Sequence, residues 1–328
     1  MSWRQFVGIA DEWDSMVTRL GVTTPFQFSA WADFRCAFGW RTLRLVTDDR
    51  KCAAQLLVKS VGPMRIVWGA GAPLGVTSDS LLAGLRETAR HEVGGSVTYL
   101  RVADHRQFSE ASVAVFRDAG FVRPVRLLST GQTLVRNLSS DYATLAEAYT
   151  SNWSRNLRRG QQREVVAEEW TSPDAAQLAR LHQNVENLKH SFDAEWRRDE
   201  DSMRRLLECF SERLVVVRAI DTHGALLAAR AAVVCGTTGF DFLAATAPEG
   251  RRCYASNVAL DALLTLLATR GITHYDFGGV DETKNKGVYD FKHGAGGNPS
   301  SYVGEFEFVS PRIARGAVSK LMTLRPSA

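Results

Sequence analysis

The chain writes the same order of secondary-structure elements twice, and that repetition restricts its fold more than any other feature. In the first half, a helical stretch near Ser29–Gly39 precedes extended runs at Arg41–Val46, Ala53–Val58 and Arg65–Trp68. The turn Asp48-Asp49-Arg50-Lys51 joins the first two runs as antiparallel neighbours. Leu81, Leu82, Leu85 and Ala89 then recur at helical spacing, and Gly94-Gly95 stops that helix. A strand Val97–Val102 follows, then a helix Glu110–Ala119 with Ser109 as cap and Gly120 as stop, then an extended run from Phe121. In the second half, helices near Asp174–Leu188 and Glu200–Arg213 precede strands Leu214–Ile220, Leu226–Cys235 and Phe240–Ala245, the first two joined by the hairpin turn Asp221-Thr222-His223-Gly224. A helix with the apolar stripe Val258, Leu260, Leu263, Leu264 and Leu267 ends at Gly271, and a strand Ile272–Phe277 closes the series. Helix, three antiparallel strands, helix, strand, helix, strand, written twice, predicts two α+β domains of one type.

The expected boundaries are residues 1–137 for the first domain and 138–302 for the second, with the polar, acidic segment Leu138–Ala148 joining them and the tail 303–328 returning to the first. A length of 328 residues suits two ordinary domains. No run holds the ~18 uninterrupted apolar residues of a membrane span. The start, MSWRQFVGIADEWD, turns acidic before a signal-peptide core can form, so a cytoplasmic protein without integral membrane association is expected. The cysteines Cys36, Cys52, Cys209, Cys235 and Cys253 form no CxxC pair, so neither a zinc site nor a disulfide framework is indicated and no metal is expected. A formal charge of +4 permits an anionic partner without demanding one.

The run YDFGGVDETKNKGVYDFKHGAGGNPSSYVGEF, Tyr275 to Phe306, carries the densest chemistry. It reads as a strand ending in Gly278-Gly279, a polar loop, a short helix bearing Phe291 and Lys292, a glycine-rich break and a closing strand. A lysine fixed between a strand end and a glycine loop can meet a developing negative charge; on residue type alone, a lysine on a solvated helix face is the commoner case. Asp276 and Gly278 end the strand, where glycine lets a substrate approach closely or simply makes a tight turn. Tyr254, Ser256 and Asn257 open the preceding long helix, whose N-terminus favours an anion; one of Ser256 and Asn257 is expected to cap it. Arg155, Arg159 and Arg163 fall at i, i+4 and i+8 with Arg158 beside them, a stripe that suits phosphates or an ordinary basic surface. His274 and His293 lack a carboxylate partner in sequence and read as structural.

Four stretches together resemble the Fem-type aminoacyltransferases, especially the compact FemX kind that lacks a coiled-coil arm. They are TPFQFSAWADFRCAFGW (Thr24–Trp40), GQTLVRNLSSDYATLAEAYTSNWSRNLRRGQQREVV, CYASNVALDALLTLLATRGITHYDFGGV and GVYDFKHGAGGNPSSYVGEF, spanning nearly the whole chain in the family's order. The resemblance implies two tandem GNAT (acetyltransferase-like) domains, which the repeated element order also matches. It implies transfer of an amino acid from aminoacyl-tRNA, a co-substrate rather than a cofactor, to the amine of a peptidoglycan precursor or similar peptide, by a monomeric enzyme. Lys292 then steadies the oxyanion and Phe291 shapes the pocket. With tRNA as donor, Arg155, Arg158, Arg159 and Arg163 can track its phosphates and Trp153 can stack on an unpaired base, the ordinary basic surface helix being the alternative. Trp31 and Arg35 lie where the family places a basic group for acceptor phosphates, while Arg101 and Asp104 match a segment beside the acceptor cleft or form an interior ion pair. Asp33 stands where the FemX pattern has lysine, and Lys189-His190-Ser191-Phe192 departs from the family's basic stretch, with Arg197 and Arg198 nearby. These departures weigh against a UDP-linked muramyl peptide and leave open another peptide acceptor, including one in antibiotic biosynthesis.

An acyl-CoA-dependent N-acyltransferase on the same fold is the second reading. Such enzymes carry an Arg/Gln-x-x-Gly-x-Gly/Ala loop for the pyrophosphate, and here that place reads Arg251-Arg252-Cys253-Tyr254-Ala255-Ser256. Tyr254 stands at a glycine position and obstructs a phosphate lying on the backbone. A binding protein with decayed domains is a third class, disfavoured by the intact Phe291-Lys292 pair.

Overall fold

The computed structural model describes residues 2–183 and 199–324. Its strands are β1 (Trp3–Gln5), β2 (Arg41–Thr47), β3 (Ala53–Val61), β4 (Met64–Ala70), β5 (Val97–Gln107), β6 (Gln132–Asn137), β7 (Val166–Glu169), β8 (Leu214–Ile220), β9 (Leu226–Cys235), β10 (Thr238–Thr246), β11 (His274–Gly279) and β12 (Asn298–Ser310). Its helices are α1 (Ala10–Arg19), α2 (Ser29–Cys36), α3 (Asp79–Val93), α4 (Glu110–Asp118), α5 (Tyr142–Glu147), α6 (Ser151–Gln162), α7 (Ala175–Gln183), α8 (Glu200–Cys209), α9 (Pro248–Arg252), α10 (Ala255–Thr269), α11 (Lys286–Gly294) and α12 (Arg315–Leu324). The chain divides into two compact units, one of Met1–Gly131 with Ser301–Ser327, the other of Gln132–Ser300.

In the first unit the sheet order is β1-β2-β3-β4-β5-β12. All neighbours are antiparallel except β4 and β5, which run parallel over seven residue pairs from Met64↔Val97 to Ala70↔Ala103. Leu82, Leu85 and Ala89 of α3 and Phe116 of α4 bury their stripes on one face, against Leu100, Val102 and Phe306. Phe116 and Phe306 stack at 4.2 Å. Gln27, within the Thr24–Trp40 stretch, is fully buried and holds a backbone junction. Its amide donates to Ala70 O at 2.7 Å and accepts from Gln55 N at 2.7 Å.

In the second unit the order is β6-β11-β10-β9-β8-β7, with β10 and β11 the parallel pair. The core is α10, through Val258, Leu260, Leu263, Leu264 and Leu267, on Val215, Val217 and Ala228 of the sheet, with Trp153 and Leu157 of α6.

Three expectations change. The strand 132–137, expected at the end of the first domain, pairs antiparallel with β11 from Asn137↔His274 to Thr133↔Gly279 and so belongs to the second unit. The segment 138–148 is not a plain linker: Asp141 accepts from Thr144 N at 3.0 Å and starts α5 within that unit. The run from Phe121 forms no named strand; among the described residues its sheet contact is the bridge Val122↔Glu307, within the first unit.

Candidate active site

In the second unit the parallel strands part. The ladder between β10 and β11 covers three pairs, Thr238↔His274 to Phe240↔Asp276, although β10 continues to Thr246 and β11 to Gly279. The register of β10 on β9 shifts between Asp241 and Leu243, and that of β11 on β6 shifts between Asp276 and Gly279. Gly278, at φ +69°, supplies the left-handed backbone the second shift needs. Past Asp276 the carbonyls of β11 have lost strand partners on the β10 side, and a buried carbonyl needs a donor.

Lys292 is that donor. Its Nζ donates to Phe277 O and, at 3.3 Å, to Gly279 O. The loop before α11 is tied by Asp281, whose Oδ1 accepts from Thr283 N at 3.1 Å and Lys284 N at 2.8 Å. Gly294 lets α11 close on α6, because a Cβ there would meet Trp153 Cδ1 at 3.1 Å and Thr150 Oγ1 at 3.2 Å. The Lys292 side chain is 12% exposed, and Asp241 Oδ2 lies 4.0 Å from Nζ, beyond hydrogen-bond length. An ammonium group has three N–H donors. Two serve the parted strand, and the third has no acceptor among the described residues. Burial lowers the Lys292 pKa, assisted by Arg230 and opposed by Asp241 and Asp276.

Around Nζ stands a set of buried polar groups. Asp241 is ion-paired with Arg230 at 3.2 Å, both side chains at most 6% exposed. Tyr275 Oη donates to Asp241 Oδ1 at 2.9 Å, and burial with Asp241 beside it raises the phenol pKa. The Arg230 guanidinium lies 4.9 Å from the centre of the Phe291 ring. Asp276 Oδ1 accepts from Gly278 N at 2.8 Å and Thr133 Oγ1 at 2.5 Å. Of these residues, Lys292, Phe291, Asp276 and Gly278 were expected from sequence. Arg230, Asp241, Tyr275 and Thr133 were not; single charges inside the apolar runs LLAARAAVVC and TGFDFLAAT signal Arg230 and Asp241, while no such signal marks Tyr275 or Thr133.

Comparison with known proteins bears on the fold. Residues 148–293 match the family model described as an acetyltransferase (GNAT) domain. Among solved structures, the chain is similar to "Crystal structure of FemX", with 13% identity over 96% of this chain and 100% of that one and a TM-score of 0.79. It is also similar to L-PGS from Bacillus licheniformis, with 12% identity over 98% of each chain and a TM-score of 0.59. A third likeness is to a tandem GNAT protein from the clavulanic acid biosynthesis pathway, with 13% identity over 94% of this chain and 98% of that one and a TM-score of 0.57. The fold is that of tandem GNAT proteins. No curated protein sequence matches the chain.

In this tandem GNAT fold, α10 starts differently from the expectation. Neither Ser256 nor Asn257 caps it. The N-cap is Tyr254, in the left-handed conformation at φ +59° with no side-chain cap bond, because α9 feeds directly into the helix. The basic helix α6 packs on that junction: Arg159 Nη1 donates to Tyr254 Oη at 3.3 Å, the Arg163 guanidinium lies 5.3 Å from the Tyr254 ring centre, and Arg163 donates to Arg252 O. Gly160 permits the approach, since a Cβ there would lie 2.6 Å from Val258 Cγ2. Arg155 and Arg158 stay exposed, and among the described residues their hydrogen-bond partners are local, Asn152 and the Ser154 carbonyl. Trp153 is a correction. It is 3% exposed, 4.1 Å from the Tyr149 ring centre and 6.2 Å from that of Phe291, so it serves the core and is closed to a nucleic-acid base.

The remaining expected residues lie in the first unit. Arg35 is 4% exposed, its guanidinium 5.5 Å from the Trp31 ring centre and 5.3 Å from that of Trp40. Arg101 and Asp104 are both interior and pair elsewhere: Arg101 with Glu305 and Asp104 with Arg106 at 2.6 Å. The expected ion pair between the two is therefore a correction: each is held by a different partner. His274 and His293 are exposed, the former bonded to Thr273 at 2.8 Å, the latter stacked on Tyr289. Lys189, His190, Ser191, Phe192, Arg197 and Arg198 lie outside the described residues. Among the described residues no group of three or more His, Cys, Asp or Glu side chains is placed to hold a metal ion.

Proposed function

We propose that the second unit is the acyl-transfer centre of an aminoacyltransferase, taking its acyl group from aminoacyl-tRNA and passing it to the amine of a peptide. One observation carries the reading: an almost fully buried ammonium group, held at the point where β10 and β11 part, with one N–H left for a substrate oxygen. An ester of tRNA is already activated, so no nucleophilic side chain is required. The amine lone pair attacks the ester carbonyl carbon and a C–N bond forms. Lys292 donates to the resulting oxyanion. Collapse breaks the C–O bond, and the ribose oxygen leaves with the proton lost by the amine. The protein's work is alignment and charge stabilisation.

The exposed Arg155 and Arg158 and the likeness to FemX support a tRNA donor. The acceptor is a peptide amine, of a cell-wall precursor or an antibiotic intermediate, and the enzyme works as a cytoplasmic monomer. Among the described residues no helix is long and apolar enough to cross a membrane. The GNAT family match favours the second reading, an acyl-CoA donor. Against it stands Tyr254, whose side chain and two arginine neighbours occupy the start of α10. The test is to incubate the chain with a mixed pool of charged tRNA, and separately with acetyl-CoA, each with candidate peptide amines. Products gaining an aminoacyl mass in the tRNA arm alone support the proposal. Acetylated product alone transfers it to the second reading, and no Lys292-dependent product in either arm refutes both.

A further inference from the structure

Lys292 is not alone in its recess. Asp241 stands at the register shift of β10, where that strand leaves β11. Its carboxylate is 5% exposed and accepts from Tyr275 Oη at 2.9 Å and from Arg230 Nη1 at 3.2 and 3.3 Å. Arg230 and Tyr275 thus draw the carboxylate to their side, leaving Oδ2 4.0 Å from Lys292 Nζ. At that length a charge still acts strongly, but no N–H is consumed. Were Asp241 a little closer, it would take the donor that a substrate needs. Were it absent, Nζ would share the recess with the Arg230 cation, and only Asp276, already bound to Gly278 N and Thr133, would balance the two.

We infer that Asp241 is a positioning residue for Lys292: held back by Arg230 and Tyr275, it keeps the ammonium charged and aimed while leaving its third N–H free for the substrate. This rests on the acyl-transfer reading above. The titratable or charged groups facing Nζ are Asp241 on β10, Arg230 on β9, and Asp276 and Tyr275 on β11; on α11 itself Asp290 is exposed and paired with Lys286 at 2.8 Å. Opposition between Asp241 and Arg230 at Lys292 agrees with the direction each gives its pKa, Asp241 being the stronger of the two.

The test reads Lys292 directly, without any acyl donor. The full-length chain is trace-labelled with acetic anhydride across a pH series, and peptide masses give the labelling profile of each lysine. Asp241→Asn moves the Lys292 profile to lower pH, while exposed Lys286 and Lys284 keep theirs. Its transfer rate near neutral pH falls by roughly tenfold or more, the order of coupling between buried neighbours. Because Asp241→Asn leaves Arg230 buried without its carboxylate and can fail to fold, Arg230→Gln with Asp241→Asn is made alongside. That pair moves the profile the same way but less, since the opposing cation is gone too. A Lys292 profile that stays in place, or moves to higher pH, in either folded variant overturns the inference, whichever donor proves right. A shifted profile in a chain that transfers no acyl group leaves the charge coupling standing and sinks the acyl-transfer reading instead.

Discussion

Replacing Lys292 by methionine separates a catalytic ammonium from a structural brace. The substitution keeps most of the side-chain volume and removes the donor to Phe277 O and Gly279 O. Each buried carbonyl left unpaired costs about 1–3 kcal/mol. Two effects offset that cost: a desolvated cation is no longer buried, and the 12% exposure of the site lets water reach the freed carbonyls. A net loss of about 1–2 kcal/mol follows, or a fall in Tm of roughly 2–8 °C for a domain of this size. The effect on rate is larger. Removing one preorganised donor from a developing oxyanion costs about 10²–10³ in rate. Single-turnover transfer with saturating donor, beside a thermal melt of the same preparation, reads both quantities. A melt that falls while the single-turnover rate stays within about threefold would make Lys292 a brace for β11 and nothing more.

Other outcomes follow from the same geometry. Arg155→Ala should lower the slope of log affinity for tRNA against log salt by about 0.7–0.9, one phosphate contact, in a binding titration from low to moderate salt; an unchanged slope removes that residue from the interface. Tyr254→Gly relieves a left-handed backbone strain of about 1–2 kcal/mol and loses cation–π contacts of about the same size. Its stability should therefore stay within about 1 kcal/mol of the parent, while calorimetric titration detects coenzyme A binding only in the variant; no heat in either means the tyrosine is not the obstruction. His105, beside Phe26 and stacked on Tyr302 at 4.7 Å, has its pKa pushed down to about 4 by burial. The folded state thus prefers the neutral ring: stability is complete above pH ~6.5 and falls as pH drops from there toward 4, by up to about 3 kcal/mol. In urea melts at pH 7, 5 and 4, His105→Phe should flatten that acid limb, and a parallel pH dependence in both chains would exclude His105 as its source.

The repeated element order was legible because its strongest segments carry their own punctuation. β8 and β9 begin and end where the apolar runs and the Asp221-Gly224 turn place them. The ownership of β6 was not legible. Its six residues read equally well as the end of one domain or the start of the next, and only pairing with β11, far away in sequence, decides. The start of α10 misled for a local reason. Ser256 and Asn257 are good capping types, but α9 passes through a left-handed Tyr254 and starts the helix before them. Trp153 misled in a different way. It shares its helix face with Leu157 and Gly160, the face opposite Arg155 and Arg159, so the spacing that defined the basic stripe also placed the tryptophan inward. Lys292 stands out through the resemblance of its Phe-Lys block, its residue type alone favouring a solvated helix face, whereas Arg230 and Asp241 become neighbours of it only through the sheet.

The comparison of the two units bears on why a lysine closes this strand at all. In the first unit, β4 and β5 keep their parallel ladder over seven pairs, from Met64↔Val97 to Ala70↔Ala103. The same order of elements in the second unit gives only three pairs before the strands separate. A fold that can close such a pair with backbone hydrogen bonds gains nothing in stability by opening it and burying an ammonium, an arginine and two carboxylates in the gap, since buried charges are at best neutral replacements for packed apolar groups. The α4 helix, which follows β5 as α11 follows β11, reads EASVAVFRD and offers no lysine for such a role. One copy of the pattern thus keeps this strand pair closed. The other accepts a local cost that a purely structural account leaves without a cause, and that a charge appearing on a substrate oxygen would supply.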